Sequence, residues 1–120
     1  MSEFTRYDFS ESLDRAGEPK AEEVKRCVAA WGVQGREYAD WSGGFVVELK
    51  DGRFAYLTGW SDSSGWGCQD GASVEFFAAN PDLGELKAKA SDYDREHVVW
   101  DESPTDLNGW IERGCNPDER

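Results

Sequence analysis

The chain has 120 residues, with 13 Lys+Arg against 25 Asp+Glu and a formal net charge of −12. Six Trp, six Phe, four Tyr and 38 % hydrophobic residues overall are enough for one folded core and exclude disorder of the whole chain. No stretch approaches the ~18 apolar residues of a membrane span, and no apolar run follows Met1, so neither a span nor a secretory leader is expected.

A single domain over 1–120 is the expectation. Met1 to Gly17 mixes Phe4, Tyr7 and Phe9 with charge, and reads as either a docked edge strand or a loose N-terminal arm. From Pro19 onward Val24, Cys27, Val28 and Trp31 fall at i, i+3, i+4 and i+7, the spacing of one helix face. Pro19 suits a first turn, Glu22 and Glu23 lie near the N-terminal end, and Gly32 supplies a stop. Cys27 is then a small core residue.

Phe45 to Leu49 and Phe54 to Thr58 flank Asp51-Gly52, a dipeptide suited to a two-residue hairpin turn. Placing Lys50 opposite Arg53 puts Phe45, Val47, Leu49, Phe54, Tyr56 and Thr58 on one face. A third strand over 72–78 carries Val74, Phe76 and Phe77. Asn80-Pro81 opens a helix through Leu83, Leu86, Ala90, Tyr93 and His97. Val98 to Trp100 reads as a short strand. Ser103-Pro104 with Asp106 opens a last helix through Leu107, Trp110 and Ile111, closed by Gly114, and 115–120 reads as a flexible tail. The fold class is α+β: a small antiparallel sheet of three to four strands with two or three helices packed on one face.

The run from Gly59 to Gly71 is long for a hairpin connection and holds Trp60, Asp62, Trp66, Cys68, Gln69 and Asp70. As a calcium loop counted from Asp62, it has Gly67 correctly at position 6. Trp66 then falls at position 5 and Ser73 at position 12, where oxygen ligands are required. It contains no base and opens no helix, so it is no phosphate cradle. Cys68 and His97 are the catalytic candidates, with Asp62 or Asp70 orienting the imidazole, but acidic surroundings raise a thiol pKa and disfavour the thiolate. As a binding loop, Trp60 and Trp66 offer flat faces while Asp62, Gln69 and Asp70 offer hydrogen bonds. As plain structure, the two tryptophans roof the sheet.

Cys27, Cys68 and Cys115 form an odd set with one His97 and no CxxC or HxxxH spacing. No metal site and no cofactor is expected, and a reducing, cytoplasmic compartment is. Residues 91–120 carry 9 acids and 3 bases, so a quarter of the chain supplies half of the −12. With no Lys/Arg cluster, direct binding of nucleic acid or of an anionic membrane is not expected. The charge serves either solubility or attraction to a basic surface, such as the nucleic-acid-binding cleft of another protein.

Tyr56-Leu57-Thr58-Gly59-Trp60, Gly65-Trp66-Gly67-Cys68-Gln69-Asp70-Gly71-Ala72 and Pro104-Thr105-Asp106-Leu107-Asn108 resemble small proteins of actinobacterial phages and their hosts, over roughly residues 41–111. The resemblance implies a small cytosolic protein, phage-encoded and acting in the host cytoplasm, and implies no activity. Where such proteins are expected to carry a cysteine after Trp60, this chain has Ser61, which weakens a paired-cysteine metal or redox role. The expectation is a non-enzymatic interaction protein of inhibitor or nucleic-acid-mimic type. Asp92, Asp94, Glu96, Asp101, Glu102 and Asp106 would face the partner, with exposed Trp as anchoring area. The alternative is a small-ligand module or Cys-dependent enzyme built on the 59–71 loop.

Overall fold

The computed structural model describes residues 6–34, 39–62, 69–89, 99–102, 104–116 and 118. Helix α1 (Arg6–Ala16) precedes β1 (Val24–Gln34), β2 (Ala39–Leu49), β3 (Phe54–Asp62) and β4 (Gln69–Phe77). Helix α2 (Leu83–Lys89), strand β5 (Val99–Glu102) and helix α3 (Thr105–Glu112) follow. The strands form one sheet in the order β4-β3-β2-β1-β5, antiparallel at every pair. The architecture is α+β, with four long strands and a short fifth.

The expectation of a helix at 24–31 is overturned, because this segment is β1. Its register against β2 shifts twice, between Val24 and Arg26 and between Cys27 and Ala29. Val24, Cys27 and Ala30 therefore stand opposite Leu49, Val47 and Phe45. Each bulge inserts one residue, so the core positions of β1 recur every third residue while those of β2 recur every second. Two bulges have disguised a strand as a helix. Cys27 is nonetheless a core residue, fully buried, with its Sγ donating to the Ala29 carbonyl at 3.2 Å.

The hairpin turn also differs from expectation. Leu49, not Lys50, stands opposite Arg53: the Leu49 amide donates to the Arg53 carbonyl at 2.8 Å, and the Gly52 amide donates to the Leu49 carbonyl at 3.0 Å. Gly52 has φ +95°, the left-handed position that closes a three-residue loop with a bulge. One extra turn residue flips every β3 side chain to the other face. Ala55 and Leu57 consequently join Phe45, Val47 and Leu49 in the core, while Tyr56 turns away with Val46.

Residues 6–16 form α1, whose Phe9, Leu13 and Ala16 make an i, i+4, i+7 stripe on the core. Phe9 meets Phe45 edge to face, with centroids 5.1 Å apart. Gly17, at φ +82°, ends the helix by donating its amide to the Leu13 carbonyl. α3 adds Leu107, Trp110 and Ile111 to the same cluster. Two helices thus share one face. Leu86 of α2 packs with Ala29 and Val46 against the opposite face, beside Tyr56 and Phe77.

Candidate functional site

Most of the stretch read as a long loop is strand. Trp60, Ser61 and Asp62 end β3 and pair with Gly71, Asp70 and Gln69 at the start of β4. The connection shrinks to residues 63–68. Glycine was the misleading signal: Gly32, Gly43, Gly59 and Ala72 stand in one row across four strands. They are cross-strand neighbours rather than turn residues, and Gly43 and Gly59 are buried. One row away, Gly44 lies beneath two aromatic rings, with an added Cβ reaching only 2.8 Å from Tyr56 Cε1. There the Trp31 Nε1–H donates to the Tyr56 hydroxyl at 2.9 Å.

Trp60, Asp62, Gln69 and Asp70 are therefore brought to one end of two adjacent strands. Trp66, Cys68 and His97 lie outside the described residues, so the proposed Cys/His pair has no geometry to report. Of the described cysteines, Cys27 is buried, and burial pushes the Cys115 thiol up against a smaller opposing effect of Lys50. A raised thiol pKa is the opposite of what a nucleophile needs.

At the opposite edge of the sheet, Asp101 and Glu102 of β5 stand across from Ala30 and Ala29 of β1. Pro104 then leads the chain into α3, whose first turn holds Asp106. Arg6 of α1 donates to Asp106 Oδ1 at 2.7 Å. That hydrogen bond holds the Asp106 carboxyl below its ordinary pKa. Asp92, Asp94 and Glu96 lie outside the described residues.

One residue here escaped sequence reasoning. The Asn108 side chain accepts from the Cys27 amide at 2.6 Å and donates to the Cys27 carbonyl at 2.9 Å. β5 reaches Ala29 and goes no further along β1, so the Asn108 amide takes the place of the next strand residue. Its only sequence signal is an amide between Leu107 and Trp110 on an otherwise apolar helix face.

The described ion pairs draw five bases (Arg6, Arg15, Lys25, Arg26 and Arg53) onto four carboxylates. Pairing of this kind leaves the acidic surplus undiminished. An open cleft of about 350 Å³ lies between the end of α1 and the Ala21–Glu23 turn, lined by Leu13, Asp14, Pro19 and Lys20 among others. None of the described candidate site residues lines it. No group of three His, Cys, Asp or Glu able to hold a metal occurs among the described residues, and no described helix is long and apolar enough to cross a membrane. Comparison with protein-family models, with curated proteins and with solved structures finds no match for this chain.

Proposed function

We propose that this chain is a small acidic, non-enzymatic interaction protein that binds a basic surface on a partner protein. It acts in the cytoplasm as an inhibitor or nucleic-acid mimic. The observation that carries the reading is the net charge of −12. Half of it falls in residues 91–120, where Asp101 and Glu102 lie on β5 and Asp106 in the first turn of α3. A surplus of one charge steers an oppositely charged partner and fixes its orientation. A nucleic-acid-binding cleft is a protein surface built to receive dense negative charge. The motif resemblance supports an actinobacterial phage or host origin, and hence a host factor as the partner.

Affinity capture from an actinobacterial lysate at low salt tests the reading. The expected result is a basic, nucleic-acid-binding protein whose retention falls as salt rises. Asp101→Lys with Glu102→Lys is expected to weaken that complex by about tenfold or more. Capture of no basic partner, or binding indifferent to both substitutions, defeats it.

A further inference from the structure

The alternation of hydrogen bonds across the sheet fixes which backbone groups of β4 face outward. Because the Leu49 amide bonds the Arg53 carbonyl, odd-numbered residues of β3 bond β2 and even-numbered ones bond β4. Phe54 stands opposite Phe77, Tyr56 opposite Glu75 and Thr58 opposite Ser73, so the odd-numbered residues of β4 direct their amides to β3. Ala72, Val74 and Phe76 aim theirs away from the sheet. β4 is the last strand in the sheet order, so no strand among the described residues takes them. Its nine residues run in unbroken register with β3 and contain neither proline nor lysine, the residues that commonly blunt an edge.

We propose that β4 is the edge through which two copies of this chain pair, antiparallel about a twofold axis at Val74. Size favours a second copy. Phe76 falls opposite the partner's Ala72 and Phe77 opposite the partner's Gly71, large against small, and an aromatic side chain covers a glycine on a neighbouring strand. Backbone parity agrees: Val74 meets the partner's Val74 and Ala72 meets the partner's Phe76, all with outward amides. Within the strand, Glu75 falls directly opposite the partner's Ser73, and the two Glu75 stand diagonally across the seam, where salt screens their repulsion.

The −12 charge opposes self-association in general, and this arrangement opposes it least. Asp101 and Glu102 lie on β5, and Asp106 follows in the first turn of α3. Joining β4 to β4 sends the two β5 strands to the outer ends of a ten-stranded sheet. Nine strand spacings separate them, about 43 Å, several times the ~8 Å screening length at physiological salt. Pairing through β5 would instead bring the acidic ends together.

Sedimentation of the full chain from micromolar to millimolar concentration tests the proposal. The mass is expected to rise from 13.5 kDa toward twice that value. Association is expected to tighten with salt, the reverse of docking to a basic partner, so the failure of one reading is distinguishable from the failure of the other. Ala72→Pro and Val74→Pro remove outward amides and spare the bonds to β3. Each is expected to weaken the dimer about tenfold or more, whereas Ser73→Pro, which removes an inward amide, damages the fold itself. Should the two outward variants fold poorly, amide exchange in the unmodified chain decides: Ala72, Val74 and Phe76 are expected to gain protection as concentration rises. A monomer at every concentration, a dimer indifferent to both prolines, or an edge that takes up only a foreign extended peptide overturns the proposal.

Discussion

At the β5 edge the chain runs for four residues before Pro104 turns it into α3, and the Asn108 amide occupies the stretch of β1 that β5 does not reach. At the β4 edge nine residues run unbroken, with the amides of Ala72, Val74 and Phe76 pointing outward. One edge is short, acidic and capped by a side chain. The other is long and carries only Asp70 and Glu75 as charged residues. Sheet edges invite pairing unless something prevents it, and among the described residues the side-chain cap stands at the β5 edge, while α1 packs against β4. The contrast separates two surfaces that the overall charge alone would merge: an acidic end suited to a basic partner, and a strand suited to another strand.

The sharpest way to break that contrast is to uncap the closed edge. Asn108→Leu removes both hydrogen bonds that the Asn108 side chain makes to the Cys27 backbone in a part-buried setting. A loss of about 3 kcal/mol is expected, read as a lower urea midpoint. An unchanged midpoint would mean that the cap contributes nothing.

A change at neither edge gives a scale for the others. Ser12 is fully buried in α1, and its hydroxyl has no hydrogen-bond partner among the described residues. Ser12→Ala removes that cost and raises helix propensity, so stability is expected to rise by about 1 kcal/mol. A fall in the midpoint would show that the hydroxyl is satisfied in solution.

The smallest effect belongs to the ion pair that ties α1 to the acidic end. Arg6 lowers the pKa of Asp106 in the folded chain. The associated stabilisation is therefore fully present above the ordinary carboxylate value of about 3.9. It is lost as pH falls through the lowered folded value. With the Asp106 side chain 68 % exposed, solvent screening keeps the contribution under about 1 kcal/mol. Asp106→Asn is expected to remove that portion of the acid dependence, and identical acid-unfolding curves for the two chains would rule it out.

Much of this fold was legible from periodicity and punctuation. The two central strands, the strand at 72–77, the start of α2 and the whole of α3 follow from alternating or helical spacing and from Asp51-Gly52, Asn80-Pro81 and Pro104. What failed did so for a local reason. β1 carries two bulges that space its core residues by threes, and a window of eight residues cannot distinguish that from an α-helical stripe. Gly52 lengthens the turn by one residue, and the two faces of β3 exchange roles. Gly59 and Gly71 suggested a loop because their cross-strand partners lie far away in sequence. α1 was hidden by its polarity: among Phe9, Ser12, Leu13 and Ala16 only two residues are strongly apolar. At the acidic end, Asp101, Glu102 and Asp106 were readable as charge. Asn108 was not, since its partner Cys27 lies 81 residues away.

The bulges in β1 also give that strand spare length. Lys25 and Val28 have no opposite residue in β2, so β1 is two residues longer than the ladder it serves. Loss of either one would straighten the strand while leaving Val24, Cys27 and Ala30 enough chain to reach their places opposite Leu49, Val47 and Phe45. The same deletion within β2, which is laddered on both sides, would throw two neighbours out of register at once. Tolerance to changes of length is therefore expected at Lys25 and Val28, in the strand whose pattern least resembles a strand.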